Sequence, residues 1–194
     1  MSIKKIVKYG ASSLREKSKE VHKISKKIQI LVDDLYDTLY ALNGVGLAAP
    51  QIGENVRVFV IDVGTDPKTM NPITFINPKI LKKEGAVNSY EGCLSFPEAY
   101  TNVRRYKYVK VKALDIKGRP FLLEADEGSL LARAIQHEFD HLDGVLFIDH
   151  CRNRFEADKI LTEKGLNPVD ANYLLDEKEL EEEIQKNPPS PEEK

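Results

Sequence analysis

One six-residue stretch, Gln136-His137-Glu138-Phe139-Asp140-His141, restricts the possible folds more than any other part of the chain. Two histidines four positions apart lie on one face of an α-helix, so both imidazoles can reach the same metal ion. The glutamate between them can point at a metal-bound water without binding the metal, as the general base of a metal-dependent hydrolase does. The chain must then place this helix where another element supplies a third ligand.

The residues around this stretch favour a helix whose histidine face turns inward. Residues 130–135 contain neither glycine nor proline, and Asp143-Gly144 supplies a stop signal. Ala134 falls on the same helix face as the histidines, which makes that face apolar. His-Glu-x-x-His also occurs by chance on solvated helices, so the apolar context is what favours a metal site.

The identity of the third ligand separates the candidate classes of enzyme. One class of zinc proteases extends the pattern to His-Glu-x-x-His-x-x-Gly-x-x-His, but this chain has Phe147 at the final position. A second class uses a downstream glutamate, for which Glu156 or Glu163 would have to serve. That alternative is weak because nothing else between residues 154 and 165 indicates a site. A zinc endopeptidase and a non-catalytic metal-binding module therefore remain as alternatives.

The chain has two cysteines, and only one of them is in a setting that favours metal binding. Cys93 follows a glycine and precedes Pro97, which indicates a strand end or tight turn. Cys151 lies in a charged stretch and is interpreted as a small buried residue. Together, Cys93 and the two histidines make a three-ligand site with an open fourth position, as a catalytic metal requires.

Three motifs together resemble the signature of a known family. Residues 44–51 read Gly-Val-Gly-Leu-Ala-Ala-Pro-Gln, residues 91–95 read Glu-Gly-Cys-Leu-Ser, and residues 136–141 are the stretch described above. In this order they resemble the motifs of peptide deformylases, and the resemblance spans about residues 3–165. It implies a metal-dependent amidase that removes the N-terminal formyl group from formyl-methionine of newly synthesised polypeptides and releases formate.

The resemblance also implies roles for individual residues. Cys93, His137 and His141 would hold the metal. Glu138 would activate the metal-bound water, while Gln51 and the backbone N–H of Leu94 would hold the oxyanion. Asp140 would either orient a ligand imidazole or form an ion pair. The residues implied in substrate binding are Gly44, Val45, Gly46, Glu91, Tyr100, Leu130 and Ala134.

The glycine-rich segment itself is interpreted sterically. Gly44 and Gly46 would let a substrate backbone approach closely, and an exposed strand edge there would pair with an extended peptide. By ligand softness, a thiolate with two imidazoles suits Zn²⁺, Fe²⁺, Ni²⁺ or Co²⁺. The family resemblance favours Fe²⁺ as the working ion, with Zn²⁺ expected in a purified sample.

The remaining periodicity predicts an α+β fold, with antiparallel β-sheets packed around a central metal-binding helix and with N-terminal and C-terminal helices. β-rich runs at residues 56–62, 75–81, 106–113 and 121–123 follow one another without intervening helices, which indicates antiparallel pairing. An apolar stripe at helical spacing predicts a helix with Asp33, Asp34 and Asp37 in water. The stripe consists of Ile28, Leu31, Leu35, Leu39 and Leu42.

Length and charge predict one catalytic domain at residues 1–170 and an acidic, proline-ended tail at 171–194 that is partly disordered. The net charge of −2 argues against a DNA partner, and the basic alternation at residues 104–112 is interpreted as a solvated strand face. No apolar run suits a membrane span or a signal peptide, so we expect a cytoplasmic protein. Its partners would be N-formylmethionyl peptides and nascent chains, with weak ribosome contact through the tail.

Overall fold

A computed structural model describes residues 2–64, 71–151 and 153–169. The tail predicted at 171–194 lies outside these ranges. Short 3₁₀ helices cover Ser12–Arg15, Ala49–Ile52 and Phe147–His150. The helices and strands are, in chain order, α1 (Lys26–Ala41), β1 (Gly46–Ala48), β2 (Val58–Ile61), β3 (Ile73–Glu84), β4 (Val87–Cys93), β5 (Phe96–Arg105), β6 (Tyr108–Leu114), β7 (Pro120–Ala125), α2 (Leu130–Leu142) and α3 (Arg154–Glu163).

The strands form two antiparallel sheets. One has the order β1-β2-β3-β6-β7, and the other is the β4–β5 hairpin. Strands that follow one another in the chain pair directly, except where the hairpin separates β3 from β6. The predicted α+β class with antiparallel sheets is confirmed. None of the described helices is both long and apolar enough to cross a membrane.

The apolar stripe of α1 lies in the core, with one exception. Leu42 caps the helix C-terminus and is 40% exposed. The prediction for Asp34 was also wrong, because this carboxylate is buried. It accepts hydrogen bonds from the Ser2 backbone N–H at 2.7 Å and pairs with Lys4 Nζ at 3.1 Å. The remaining stripe residues are buried, namely Ile28, Leu31, Leu35 and Leu39.

The central helix α2 ends at the predicted stop signal, and a serine side chain caps its N-terminus. The Ser129 hydroxyl accepts a hydrogen bond from the Ala132 backbone N–H at the N-terminus. Gly144, at a φ of 74°, follows the C-terminus. Ile135 and Leu142 are fully buried and pack in one cluster with aromatic side chains of the five-stranded sheet. The polar groups on the rest of α2 are therefore held in a fixed position.

The β4–β5 hairpin covers another part of α2. Phe96 of β5 packs with Phe147, whose ring lies 5.9 Å from the ring of His137. Arg105, predicted on a solvated strand face, is only 3% exposed. The basic alternation runs across the end of β5, a two-residue connection and β6, so its members do not share one face. That part of the prediction was wrong.

Candidate active site

Alternate residues of β4 face successive turns of α2, in an arrangement that we call the β4–α2 ladder. Two strand residues advance by about 6.7 Å and four helix residues by about 6 Å, so pairs between the two elements stay nearly in step. The pairs of the ladder are Ser89 with Arg133 at 3.0 Å, Glu91 with His137 at 3.0 Å and Cys93 with His141 at 3.3 Å.

The last two pairs bring together the predicted metal ligands. The donor atoms of Cys93, His137 and His141 all lie within 4.8 Å of one another. Glu156 and Glu163, the alternative ligands, are exposed on α3 and outside this cluster. A thiolate with two imidazoles is a donor set that suits a divalent transition metal and leaves a coordination position open.

The two cysteines differ in their protonation. Burial acts to raise the pKa of the Cys93 thiol, but the charge of His141 and hydrogen bonds with both histidines hold it well below its usual value. Burial raises the pKa of Cys151 to about 11, although Thr101 lies at hydrogen-bond distance. Metals bind the thiolate form. Cys93 is therefore ready to bind a metal at neutral pH, whereas Cys151 is a protonated thiol.

Glu138 extends from α2 toward β1 and is 4% exposed. Its Oε2 is buried without a hydrogen-bond partner among the described residues. Burial, together with the nearby charges of Cys93 and Glu91, raises the pKa of this carboxyl to about 7. A carboxyl group that gains and loses a proton near neutral pH, with one oxygen left unpaired, has the properties of a general acid and base.

Gly46 makes the position of Glu138 possible. A Cβ atom at Gly46 would lie 2.6 Å from Glu138 Oε1. At Gly44, a Cβ would lie 2.8 Å from a methyl group of Leu39. Both glycines therefore leave room for side chains of the protein itself. The sequence had predicted only that they leave room for a substrate backbone.

Gln51 and Leu94 meet beside the cysteine. The side chain of Gln51 is 1% exposed, and its Oε1 accepts a hydrogen bond from the Ala48 backbone N–H at 2.8 Å. That bond directs Nε2 toward Cys93 Sγ, 3.3 Å away. Leu94 lies in the turn that follows Cys93 and lines the same cavity as Gln51.

A buried charge network supports the ladder. The Arg105 guanidinium binds both carboxylate oxygens of Glu91, at 3.0 and 2.9 Å, and Asp140 at 2.5 Å. Asp140 also accepts from His150 at 2.8 Å, so it forms an ion pair and orients no metal ligand directly. Burial opposes ionisation of Glu91, but the charge of Arg105 and the hydrogen bond with His137 keep its pKa far below the usual value. Glu91 thus holds His137 through Nδ1.

The cavity in front of this site has a volume of about 490 Å³. Every residue predicted for substrate binding lines this cavity. The Glu91 carboxylate, however, is already bound by Arg105 and His137. The sequence interpretation missed several lining residues, among them Ser89 and Arg133. Arg133 precedes His137 by one helical turn, a spacing that could have revealed it. The predicted residues that line the cavity are Gly44, Val45, Gly46, Glu91, Tyr100, Leu130 and Ala134.

An α+β scaffold on which a thiolate and two imidazoles converge beside a buried carboxylate defines the class of metal-dependent hydrolases. Residues 3–156 match the model of the polypeptide deformylase family. Peptide deformylase 1 of Clostridium acetobutylicum is 50% identical over 149 residues, which are 77% of this chain and 95% of the relative. The chain belongs to the polypeptide deformylase family.

Further relatives match a similar share of the chain. Peptide deformylase 1 of Bacillus subtilis is 45% identical over 165 residues, 85% of this chain and 100% of the relative. Among solved structures, a peptide deformylase from Synechococcus elongatus in complex with actinonin superposes with a TM-score of 0.80 at 40% identity. That match covers 85% of this chain and 92% of the other. The protein is therefore an enzyme with the fold of this family.

Proposed function

We propose that the protein removes the N-terminal formyl group from formyl-methionine of newly synthesised polypeptides, with Glu138 as the group that moves the proton. The observation that carries this proposal is the unpaired Oε2 of Glu138 beside the cluster of Cys93, His137 and His141. Family membership supplies the substrate class, because the relatives are named peptide deformylases.

Cys93, His137 and His141 would hold one divalent metal, for which we favour Fe²⁺ over Zn²⁺, Ni²⁺ or Co²⁺ as the working ion. A metal bound there supplies Lewis-acid chemistry, because it lowers the pKa of water and polarises a carbonyl group. The hydrogen bond between Glu91 and His137 Nδ1 fixes the orientation of that imidazole, so that Nε2 remains for the metal.

Glu138 would accept a proton from the attacking water at Oε2 and return it to the departing amine. A pKa of about 7 suits both halves of this cycle, because neither protonation state is strongly disfavoured. The carboxylate takes up and releases the same proton, so the residue is regenerated after each turnover. Formate and a free methionyl N-terminus are the products.

Gln51 and the backbone N–H of Leu94 would donate hydrogen bonds to the oxygen that becomes negatively charged during attack. The Ala48 contact holds Gln51 in place before a substrate arrives. Donors that need no reorganisation are the effective ones, and the loss of one such donor costs about 3 to 4 kcal/mol of barrier.

The methionine side chain of the substrate would enter the cavity beside Val45, Leu130 and Ala134, with Tyr100 at the rim of the cavity. Val45 and Leu130 are each 40% exposed, which leaves apolar surface for a ligand to cover. β1 is the end strand of its sheet in the described residues, so its free edge would pair with an extended peptide. Gly44 and Gly46 border this edge.

We place the reaction in the cytoplasm, where nascent chains are made, with weak ribosome contact through the acidic tail. Val169 is 2% exposed, so a chain that ends at this residue keeps its described core. We expect it and the full chain to co-sediment equally with ribosomes. A loss of co-sedimentation on truncation would contradict this part of the proposal.

The proposed reaction can be tested by anaerobic formate release with Fe²⁺-loaded protein. We expect formate from formyl-Met-Ala-Ser, whereas acetyl-Met-Ala-Ser and a longer peptide blocked at its N-terminus should remain intact. Cleavage of an internal peptide bond without formate release would instead indicate an endopeptidase.

A further inference from the structure

The first pair of the β4–α2 ladder, Ser89 with Arg133, has no part in holding the metal. The other two pairs hold or supply the ligands, but this pair lies one turn of α2 before His137. Both of its residues line the cavity. It therefore forms part of the wall that the side chain of a bound substrate would meet.

The position of Arg133 is unfavourable for a structural arginine. The residue lies in the first turn of α2, where the helix dipole disfavours a positive charge. Its Nε is buried without an acceptor among the described residues, and no ion pair links it to a described carboxylate. The hydrogen bond from Nη1 to the Ser89 hydroxyl, at 3.0 Å, fixes the guanidinium in this setting. Nε is closed to a ligand as well as to water, so a ligand in the cavity would accept hydrogen bonds from the terminal guanidinium nitrogens.

We propose that Arg133, oriented by Ser89, determines which side chains the cavity accepts at the first residue of the substrate. The guanidinium would donate a hydrogen bond to an acceptor within an unbranched side chain. The preferred class is then a side chain with a sulfur or oxygen acceptor, as in methionine or methionine sulfoxide, over a hydrocarbon chain of equal length. This inference rests on the proposed function.

Norleucine distinguishes this role from simple apolar packing. Its side chain has nearly the shape of methionine but has a methylene group where methionine has sulfur. A purely apolar pocket would treat the two alike, whereas an arginine donor favours the acceptor. Because thioether sulfur is a weak acceptor, we expect a preference of about threefold to tenfold for methionine. The sulfoxide oxygen accepts more strongly and would depend more on Arg133.

The test compares formyl-Met-Ala-Ser, formyl-Nle-Ala-Ser and the formyl-methionine sulfoxide peptide by kcat/KM. The binding of the deformylated peptides is measured in parallel by calorimetry. The variants are Arg133→Leu, Arg133→Lys and Ser89→Ala. Arg119→Leu serves as the matched control, because Arg119 pairs with Asp115 in an exposed turn and does not line the cavity.

We expect Arg133→Leu to bring the methionine to norleucine ratio close to one and to lower turnover of the sulfoxide peptide by about tenfold. Arg133→Lys and Ser89→Ala should reduce the ratio partly, and Arg119→Leu should leave it unchanged. A wild-type ratio near one, or the wild-type ratio in Arg133→Leu, would overturn the inference. If no peptide yields formate, the proposed function fails. The ratio of the binding constants of the deformylated methionine and norleucine peptides then still decides the role of Arg133. If Arg133→Leu does not fold, the ratio in Ser89→Ala decides.

Discussion

The carboxylate of Glu138 occupies space that any side chain at residue 46 would fill. The contact lies between a helix and the edge strand of a sheet, and these residues are far apart in the sequence. The motif pattern predicts both residues, but it cannot show that one makes room for the other. The distance between them exists only in the folded chain.

Replacing Gly46 with alanine should therefore act on the position of Glu138. We expect kcat to fall by about 10-fold to 100-fold, because a displaced carboxylate transfers protons poorly, and KM to rise as well, because Gly46 borders the strand edge proposed to bind the peptide. Steady-state kinetics with formyl-Met-Ala-Ser measures both constants. Glu138→Asp has a shorter side chain that needs less room beside residue 46. In the double mutant, the fold-decrease in kcat should therefore be smaller than the product of the fold-decreases in the two single mutants. Multiplicative losses would contradict the proposed contact.

The two cysteines allow a matched test of the metal site. Cys93→Ala removes the thiolate from the cluster and should abolish stoichiometric metal binding. Cys151→Ala should leave it unchanged, because that thiol lies outside the cluster and is protonated at neutral pH. Metal content after dialysis against buffered Fe²⁺ or Zn²⁺ gives the answer. Equal metal content in both variants would place the site elsewhere.

At the scale of elements, the site depends on the ladder between β4 and α2. The sequence predicts the helix and its end because periodicity and capping are local properties. It predicts Cys93 at a strand end for the same reason. The burial of Arg105 was not predictable in this way, because its partners, Glu91 and Asp140, come from two other elements. The alternation of charged and apolar residues describes only the strand itself.

Arg105 joins β4, β5 and α2, so its loss should weaken all three together. Arg105→Leu leaves the buried carboxylates of Glu91 and Asp140 without their common partner. We expect the free energy of unfolding to fall by about 3 to 5 kcal/mol in urea denaturation of the metal-free protein. The exposed Arg119→Leu should change it by about 0.5 kcal/mol or less. A free energy of unfolding that is nearly unchanged in Arg105→Leu would show that the network does not hold the hairpin to the helix.

At the scale of the whole molecule, the N-terminal segment is tied to α1 through Asp34. Helical periodicity predicted this aspartate in water, because the pattern gives no information about a segment that crosses the helix surface. Ser2 and Lys4 cover the carboxylate and satisfy it. The two ends of that contact are 32 residues apart in the chain.

Asp34 also gives a prediction for pH dependence. Burial acts to raise the pKa of Asp34, but the hydrogen bonds from Lys4 and Ser2 hold it below the usual value. The folded state therefore favours the carboxylate, so the stabilisation is complete above the unfolded-state pKa of about 3.9 and is lost as the pH falls through the folded-state pKa. Asp34→Asn should lower the free energy of unfolding by about 1 to 3 kcal/mol at pH 7.

The control is Asp33→Asn on the exposed side of α1. We expect this substitution to change the free energy of unfolding little at any pH. Urea denaturation at pH 7 and at pH 3 would show the difference between wild type and Asp34→Asn shrinking in acid. A difference that is the same at both pH values would indicate that the charge of Asp34 does not contribute.

The most direct test of the whole account measures formate release and metal content in the same samples of wild type and Glu138→Gln. The amide keeps the shape of the side chain but cannot move the proton, and Glu138 is not among the proposed ligands. We expect both proteins to bind one metal ion and only the wild type to release formate, with turnover in Glu138→Gln lower by about 100-fold to 10,000-fold. Full activity in Glu138→Gln with metal bound would contradict the account.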